Sequence, residues 1–181
     1  MSSDVLFASS NGNKFSEAKN ILSNYGINLS FFKINLKEIQ AESIMQIASL
    51  KVNDAYRQCL KPVIVEDAGL FLESLNGFPG PFSSYVFKTI GNSGILRLVR
   101  TNRKAHFQSV VAYCDKKYGV VLFDAKVKGK ISKNSRGKGW GYDPIFIPAG
   151  ETKTYAMISN KNEISHRYKA LTKFSKWFVH R

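Results

Sequence analysis

The strongest constraint on the fold is the segment at residues 63–81, which reads VIVEDAGLFLESLNGFPGP. It opens with three β-branched residues, Val63–Val65, a run typical of a buried strand. Two carboxylates, Glu66 and Asp67, follow at the predicted carboxyl end of this strand, and later Asn-Gly and Pro-Gly-Pro runs predict tight turns. Ligands of open α/β sheets bind outside the carboxyl ends of strands, so the segment predicts a site here. An acidic pair by itself is more often a solvated turn.

Strands alternate with helices along the rest of the chain, which predicts an α/β fold. Predicted strands lie at residues 4–9, 29–36, 107–113 and 120–127, and predicted helices at 15–22, 43–59, 82–88, 94–99 and from 164 onward. A turn at 115–119 joins two of the strands into a hairpin. The length of 181 residues fits one domain, 1–181.

Composition excludes several classes of protein. A hydrophobic content of 44% argues against disorder. Neither a membrane helix nor the charged start and apolar stretch of a signal peptide is present, and Cys59 and Cys114 have no metal-ligand spacing. We therefore expect a reduced, cytoplasmic protein without a membrane partner.

The net charge of +14 predicts attraction to polyanions, whether nucleic acid, membrane or nucleotide. Lys126, Lys128 and Lys130 alternate along a predicted strand, a pattern typical of a solvated sheet edge. Nucleic-acid binding remains an alternative, but no nucleic-acid motif supports it.

A loop of small polar residues follows the first predicted strand and precedes a helix. It comprises Ser9, Ser10, Asn11, Gly12, Asn13 and Lys14. This arrangement suits phosphate, because free backbone N–H groups and the positive helix end point at the anion, and Lys14 adds a full charge. The Walker A spacing is absent. An ordinary capped helix start is an equally good interpretation.

Two later segments favour a nucleotide. The glycine-rich run at 137–144 contains Trp140, and an aromatic ring among glycines offers a stacking surface for a base. Ser165, His166 and Arg167 begin the last predicted helix, where an anion is well accommodated, although a lone histidine there is more often a surface residue.

Charged residues from several segments complete the pattern: the acidic Glu38, Glu66 and Asp67, and the basic Lys14, Lys51, Lys161 and Arg167. Carboxylates without His or Cys partners suit Mg²⁺ or Mn²⁺ bound together with substrate phosphates. The combination indicates phosphoryl or nucleotidyl chemistry on a nucleotide. For Lys51, a solvent-facing position is the alternative.

These segments resemble the inosine triphosphate pyrophosphatase family, and its archaeal members most. The resemblance covers nearly the whole chain and rests on FASSNGNKFSEAKNIL at 7–22, KEIQ at 37–40, VEDAGLFLESLNGFPGPFSS at 65–84, GWGYDPIF at 139–146 and ISHRYKAL at 164–171. It implies hydrolysis of ITP, dITP and XTP to the monophosphate and pyrophosphate. It also implies a homodimer and a long, mixed, twisted sheet flanked by helices, with a nucleotide cleft between two lobes.

The resemblance also implies roles for individual residues. The loop at 9–14 would hold the triphosphate, with Lys14 and Lys51 neutralising it. Glu38 and Asp67 would bind Mg²⁺ (Mn²⁺ is the alternative), and Asp67 would orient or deprotonate the attacking water. Trp140 would stack on the purine, and the residues around the base would be Gly141, Tyr142, Asp143, His166 and Arg167, with Lys161 contacting substrate from the last loop.

The sequence departs from the family pattern at three points. Ala68, a predicted substrate contact, stands where Ser is usual; the Glu expected after Ala156 is missing; and the loop at 154–165 is shorter. These departures leave a relative with weakened catalysis as an alternative. A Maf-type nucleotide pyrophosphatase is another, although the motifs at 139–143 and 165–167 argue against it.

Overall fold

The computed structural model describes residues 3–37 and 39–181. In it, the strands and helices that the sequence predicts follow one another in the predicted order. The strands described there are β1 (Ser3–Ser9), β2 (Ile27–Lys33), β3 (Val63–Leu72), β4 (Lys104–Asp115), β5 (Gly119–Ile131) and β6 (Phe146–Pro148). The α-helices are α1 (Gly12–Ser23), α2 (Ile44–Cys59), α3 (Ser83–Thr89), α4 (Gly91–Leu98), α5 (Lys161–Ile164) and α6 (His166–His180). Short 3₁₀ turns occupy Glu73–Leu75, Gly80–Phe82 and Tyr155–Met157.

The strands form one mixed sheet in the order β2-β1-β3-β4-β5-β6. β1 is parallel to both neighbours, with Val5 opposite Leu29 of β2 and Leu6 opposite Val63 of β3. β5 and β6 are antiparallel. Parallel neighbours need a crossover, and α1 and α2 supply it for β1, β2 and β3. The predicted α/β fold with a mixed sheet flanked by helices is confirmed.

The two long N-terminal helices begin at polar capping residues. The Asn11 carboxamide oxygen accepts hydrogen bonds from the amides of Asn13 and Lys14, and Ser43 Oγ accepts one from Met45. These side chains satisfy amides that a helix start leaves without an intrahelical partner. Both helix starts follow directly from local sequence.

The predicted end of β3 is wrong. The strand continues through Glu66 and Asp67 to Leu72, because Leu70 and Leu72 are both buried and extend the apolar side of the strand. The amide of Leu70 donates a hydrogen bond to Ser83 Oγ at 2.8 Å. The two carboxylates therefore lie in the middle of a strand and not at its carboxyl end.

Other boundaries also differ from the prediction. β2 begins at Ile27 and ends at Lys33, and α6 begins at His166. α4 begins at Gly91, one residue after Ile90, which follows the end of α3. The positive φ of 59° at Gly91 interrupts the helical backbone between α3 and α4.

The chain divides into two compact units. The first contains residues 1–67, 109–125 and 167–181, and the second contains residues 68–108 and 126–166. The buried core of the first unit consists of Val5, Phe7, Ala18, Ile21, Leu22, Ile27, Leu29, Ile64, Val111, Tyr113, Ala125, Ala170, Leu171, Phe174 and Phe178. Aromatic rings of β4, β5 and α6 pack together at this core, as in the contacts of Phe174 with Tyr113 and Phe123.

The second unit has its own core, in which α3, α4 and the segment around Tyr142 pack on β3, β4 and β5. Its buried residues are Leu70, Leu72, Val86, Ile95, Val99, Ala105, Phe107, Val127, Ile131, Tyr142, Ile145, Phe146 and Tyr155. Phe107 contacts the rings of Phe146 and Tyr155. Each unit thus buries its own apolar residues.

Three further predictions concern parts of the chain outside the candidate site. Cys59 and Cys114 are free thiols, and the lysines at 126, 128 and 130 are exposed as expected. In residues 3–37 and 39–181, no helix combines the length and hydropathy needed to cross a membrane.

Replacing Phe174 with Ala should lower the free energy of unfolding by about 3–5 kcal/mol, because the ring is fully buried and its removal leaves a cavity. Chemical denaturation monitored by circular dichroism measures the change. Val179→Ala on the same helix is the control, since Val179 is 54% exposed and its truncation should change stability by less than about 0.5 kcal/mol. Equal effects of the two variants would contradict the assignment of the core.

Candidate functional site

The turn between β1 and α1 is organised by its own side chains. Ser9 Oγ accepts a hydrogen bond from the amide of Asn11 at 3.0 Å, and Asn11 Oδ1 accepts from Asn13 and Lys14 at 3.0 and 3.3 Å. Ser10, Gly12 and Asn13 are exposed. The Asn11 cap confirms an ordinary capped helix start, and the positive end of α1 lies beside exposed small residues. A phosphate bound at this turn would either replace the Asn11 oxygen as the acceptor of the Asn13 and Lys14 amides or share these amides with it.

Glu66 lies at the centre of a buried charge cluster in the first unit. Its carboxylate, with 0% side-chain exposure, accepts a hydrogen bond from Ser109 Oγ at 2.6 Å. Lys14 Nζ lies 3.0 Å from Glu66 Oε2 and donates to the Glu66 backbone oxygen at 2.9 Å. Arg167 lies 3.3 Å from the same Oε2 atom. Donors from α1, β4 and α6 therefore meet at one carboxylate of β3.

Arg167 is held by two carboxylates. Its second terminal nitrogen pairs with Glu17 of α1, and its side chain is only 2% exposed. Burial by itself would lower the pKa of this guanidinium, but Glu66 and Glu17 outweigh that effect and raise the pKa above its usual value. The arginine is therefore permanently charged in this position.

Asp67 makes a separate contact, with α2. Lys51 Nζ lies 2.9 Å from Asp67 Oδ1, and Lys51 is 9% exposed, so the solvent-facing alternative for this lysine is wrong. The other carboxylate oxygen, Oδ2, is buried and has no hydrogen-bond donor within residues 3–37 and 39–181. A buried carboxylate oxygen that lacks a donor fits a hard divalent cation or a water molecule. The second predicted metal ligand, Glu38, lies outside the described residues.

In the second unit, Lys161 contacts two of the other predicted residues, Asp143 and Trp140, and also Tyr155. Its ammonium lies 2.5 Å from Asp143 Oδ2 and 5.3 Å from the centre of the Trp140 ring. The same ammonium lies 5.9 Å from the centre of the Tyr155 ring. Cation–π contacts of this kind hold the lysine and the half-buried indole together. The shortened loop thus still carries Lys161 to the glycine-rich segment.

The glycine-rich segment packs closely against the turn at Tyr155–Met157. A Cβ at Gly137 would lie 2.9 Å from the backbone oxygen of Ala156, and Gly137 has a φ of 79°. A Cβ at Gly139 would lie 3.0 Å from the Ala156 Cβ. Glycine is therefore required here by close packing, and the segment is held in place beside Trp140. Gly141 has open space around it.

Four of the predicted base contacts are largely buried: Tyr142, Asp143, His166 and Arg167. The Tyr142 hydroxyl donates to the backbone oxygen of Ser83 at 2.9 Å, and burial raises the pKa of this phenol, which stays neutral. His166 is 4% exposed and stacks on Phe107 with ring centres 4.3 Å apart, so the surface interpretation of this histidine is wrong. Its neighbour Arg167 belongs to the other unit and contacts Glu66 and Glu17. Ala68 is half-buried within β3.

Three residues of these clusters were not predicted. Ser109 is a fully buried hydroxyl at the edge of the run at residues 110–114, whose residues are all buried, and that polar position beside the run was the available signal. Glu17 lies three residues after Lys14, on the same side of a helix. Asn92 donates from its amide nitrogen to the backbone oxygen of Gly141 at 3.1 Å, a contact that no sequence spacing indicates.

Comparison with known proteins gives consistent relatives along the whole chain. A protein of Methanopyrus kandleri named dITP/XTP pyrophosphatase is 49% identical over 179 residues, covering 96% of this chain and 95% of the relative. A protein of the same name from Korarchaeum cryptofilum is 44% identical, covering 90% of this chain and 89% of its own length.

Solved structures agree with the fold. A HAM1 protein from Coxiella burnetii superposes with a TM-score of 0.86 at 26% identity, covering 99% of this chain and all of the other. A structure described as nucleoside-triphosphatase and dITP/XTP pyrophosphatase from Mycobacterium abscessus gives a TM-score of 0.73 at 26% identity, covering 94% and 97% of the two chains. The model of the Ham1 family matches residues 5–177, and the chain belongs to the Ham1 family.

Proposed function

We propose that this protein hydrolyses the deaminated purine nucleoside triphosphates ITP, dITP and XTP to the nucleoside monophosphate and pyrophosphate. The identity of 49% to a dITP/XTP pyrophosphatase over nearly the full length supports this activity. The observation that carries the chemistry is Asp67, with one oxygen on Lys51 and a buried second oxygen that no described residue binds. This hydrolysis would clear deaminated nucleotides from the nucleotide pool.

In this proposal, Asp67 acts on the attacking water. Because Lys51 holds Oδ1, Oδ2 is oriented to accept a proton from a water molecule. The water oxygen forms the new bond to the α-phosphorus, and the bond to the bridging oxygen breaks, releasing pyrophosphate. Lys14 and Lys51 balance the phosphate charge, and the small residues of the turn at 9–14 leave room for the phosphates.

A divalent cation, Mg²⁺ or alternatively Mn²⁺, would be held by Asp67 and Glu38. When bound, it would neutralise charge on the phosphate oxygens. The pairing of these two carboxylates supports this assignment, since hard cations select carboxylate oxygens.

The second unit would supply the contacts to the base. Trp140 is half-buried, so part of its ring is available for stacking on a purine. We assign base recognition to Trp140, Gly141, Tyr142, Asp143 and His166, with Lys161, Arg167 and Ala68 as further substrate contacts. Donors arranged around a 6-oxo group would lack partners against the 6-amino group of adenine, at a cost of roughly 1–3 kcal/mol each.

We further propose that residues 1–181 act as one pyrophosphatase domain, as a homodimer in the cytoplasm. The family resemblance supports the homodimer, the length of 181 residues supports a single domain, and two cysteines without metal-ligand spacing support a reducing compartment. Size-exclusion chromatography with light scattering measures the assembly directly.

Pyrophosphate release from a nucleotide panel tests the activity. With Mg²⁺, we expect kcat/KM for ITP, dITP and XTP to exceed that for ATP by at least about 10²-fold, because several base contacts discriminate together. GTP and dTTP complete the panel, and a chelator should abolish release. Preference for dTTP would indicate a Maf-type enzyme instead, and inactivity of folded protein toward the whole panel would reject the proposal.

Replacing Asp67 with Asn should reduce kcat by about 10²- to 10⁴-fold, because the amide cannot accept the proton of the water. The amide oxygen still accepts the Lys51 hydrogen bond, so the fold should persist. Asp54→Asn is the matched control, since Asp54 lies on α2 and contacts only Gln58 among the described hydrogen bonds. Comparable turnover by the two variants would exclude Asp67 from the chemistry.

Replacing Trp140 with Ala should raise KM for XTP about 10-fold, as expected for the loss of one base–aromatic stacking contact. Trp140→Phe keeps a stacking ring and should stay within about 3-fold of the wild type. Steady-state kinetics on the three proteins measure the difference. If the Ala and Phe variants behave alike, the ring does not stack on the base.

A further inference from the structure

The Glu66 carboxylate is a buried ionised group to which the proposed reaction gives no direct part. It is fully buried, lies next to Asp67 in β3, and is contacted by Lys14, Ser109 and Arg167. Burying a carboxylate costs desolvation free energy, and charged partners are needed to offset that cost. Its persistence beside the proposed phosphate-binding lysine therefore calls for a function.

Glu66 binds the Lys14 ammonium at two points. Nζ lies 3.0 Å from the side-chain oxygen Oε2 and 2.9 Å from the backbone oxygen of the same residue. An ammonium group has three N–H donors, so Glu66 engages two of them. Any phosphate that binds Lys14 must share this ammonium with Glu66 or displace it.

Arg167 does not relieve this competition, because its charge is divided between two carboxylates. It pairs with Glu17 as well as with Glu66. Ser109 contributes a neutral hydroxyl to the other carboxylate oxygen. Among the residues that the structure describes, these contacts join two carboxylates and two cations, and Lys14 has the most exposed side chain of the four, at 18%.

We propose that Glu66 is a positioning residue that acts as the internal counter-ion of Lys14. It holds the ammonium in place in the ligand-free protein and weakens the binding of pyrophosphate, so that this product dissociates. The inference rests on the proposed function, which makes pyrophosphate the product. It assigns opposite roles to neighbouring carboxylates, since Asp67 acts on water and Glu66 acts on the lysine.

Glu66→Gln tests the charge while preserving the shape. The amide oxygen can still accept from Lys14 and Arg167, and the amide nitrogen can donate to Ser109 Oγ, which accepts as readily as it donates. Isothermal titration with inorganic pyrophosphate in metal-free buffer should show Kd lowered about 5-fold, because a negative charge that competes for Lys14 is removed.

We expect Ser109→Ala to change the Kd for pyrophosphate in the opposite direction. Without the hydroxyl, the carboxylate keeps its charge but loses one donor, and it should bind Lys14 more strongly. Kd for pyrophosphate should then rise about 2-fold, as expected for redistribution of one hydrogen bond. This variant removes a single buried oxygen atom, so it decides the question if Glu66→Gln does not fold in a thermal melt.

Two charge-matched controls locate the effect. Glu17→Gln removes a charge from the same cluster at the far side of Arg167 and should change Kd by less than about 2-fold. Glu151→Gln removes an exposed charge of the second unit, and screening at physiological salt should leave Kd unchanged.

The outcomes separate this inference from the proposed function. Tighter pyrophosphate binding by Glu66→Gln alone supports Glu66 as counter-ion, whatever nucleotide the wild type hydrolyses. Unchanged or weaker binding, an equal effect of Glu17→Gln, or a wild type that does not bind pyrophosphate would overturn it. Failure of the wild type on the nucleotide panel would reject the proposed substrates and leave the pyrophosphate result standing.

Discussion

The first unit depends on the burial of one ionised carboxylate. Moving a charge out of water costs on the order of several kcal/mol even after the protein relaxes, so Glu66 must be surrounded by donors. Those donors come from three different elements: Lys14 from α1, Ser109 from β4 and Arg167 from α6. Any displacement of one element would leave a buried charge without its partner. The cluster therefore fixes the relative positions of these elements within the unit.

The alternating side-chain directions of a β-strand give Glu66 and Asp67 different surroundings. Successive side chains of a strand point to opposite faces, so Glu66 joins the charge cluster while Asp67 contacts Lys51 from α2. In a turn, two adjacent carboxylates could both face water. In the strand, one is completely buried and the other keeps 19% of its side chain exposed. The continuation of β3 to Leu72 thus places Glu66 in the buried charge cluster and leaves Asp67 partly exposed beside Lys51.

In the second unit, aromatic rings take a larger part in holding the charged residues than they do around Glu66. Lys161 pairs with Asp143 and lies beside the rings of Trp140 and Tyr155. Aromatic faces accept a cation without the desolvation cost of a second buried carboxylate. Closely packed glycines at 137 and 139 keep the segment beside Ala156. The geometry near Trp140 therefore depends on packing more than on charge.

Local sequence determined most elements of this protein and their order, and it singled out Lys14, Glu66 and Asp67 as candidate site residues. Hydrophobic periodicity and capping residues act over a few positions, so α1 and α2 and the hairpin of β4 and β5 could be predicted from them. Tertiary structure alone decided the partners of the charged groups. Arg167 meets Glu17 across 150 positions and Glu66 across 101 positions, and no local pattern specifies such contacts. The length of β3 was decided in the same way, because the burial of Leu70 and Leu72 in the second core outweighs the weak strand preference of Ala68 and Gly69.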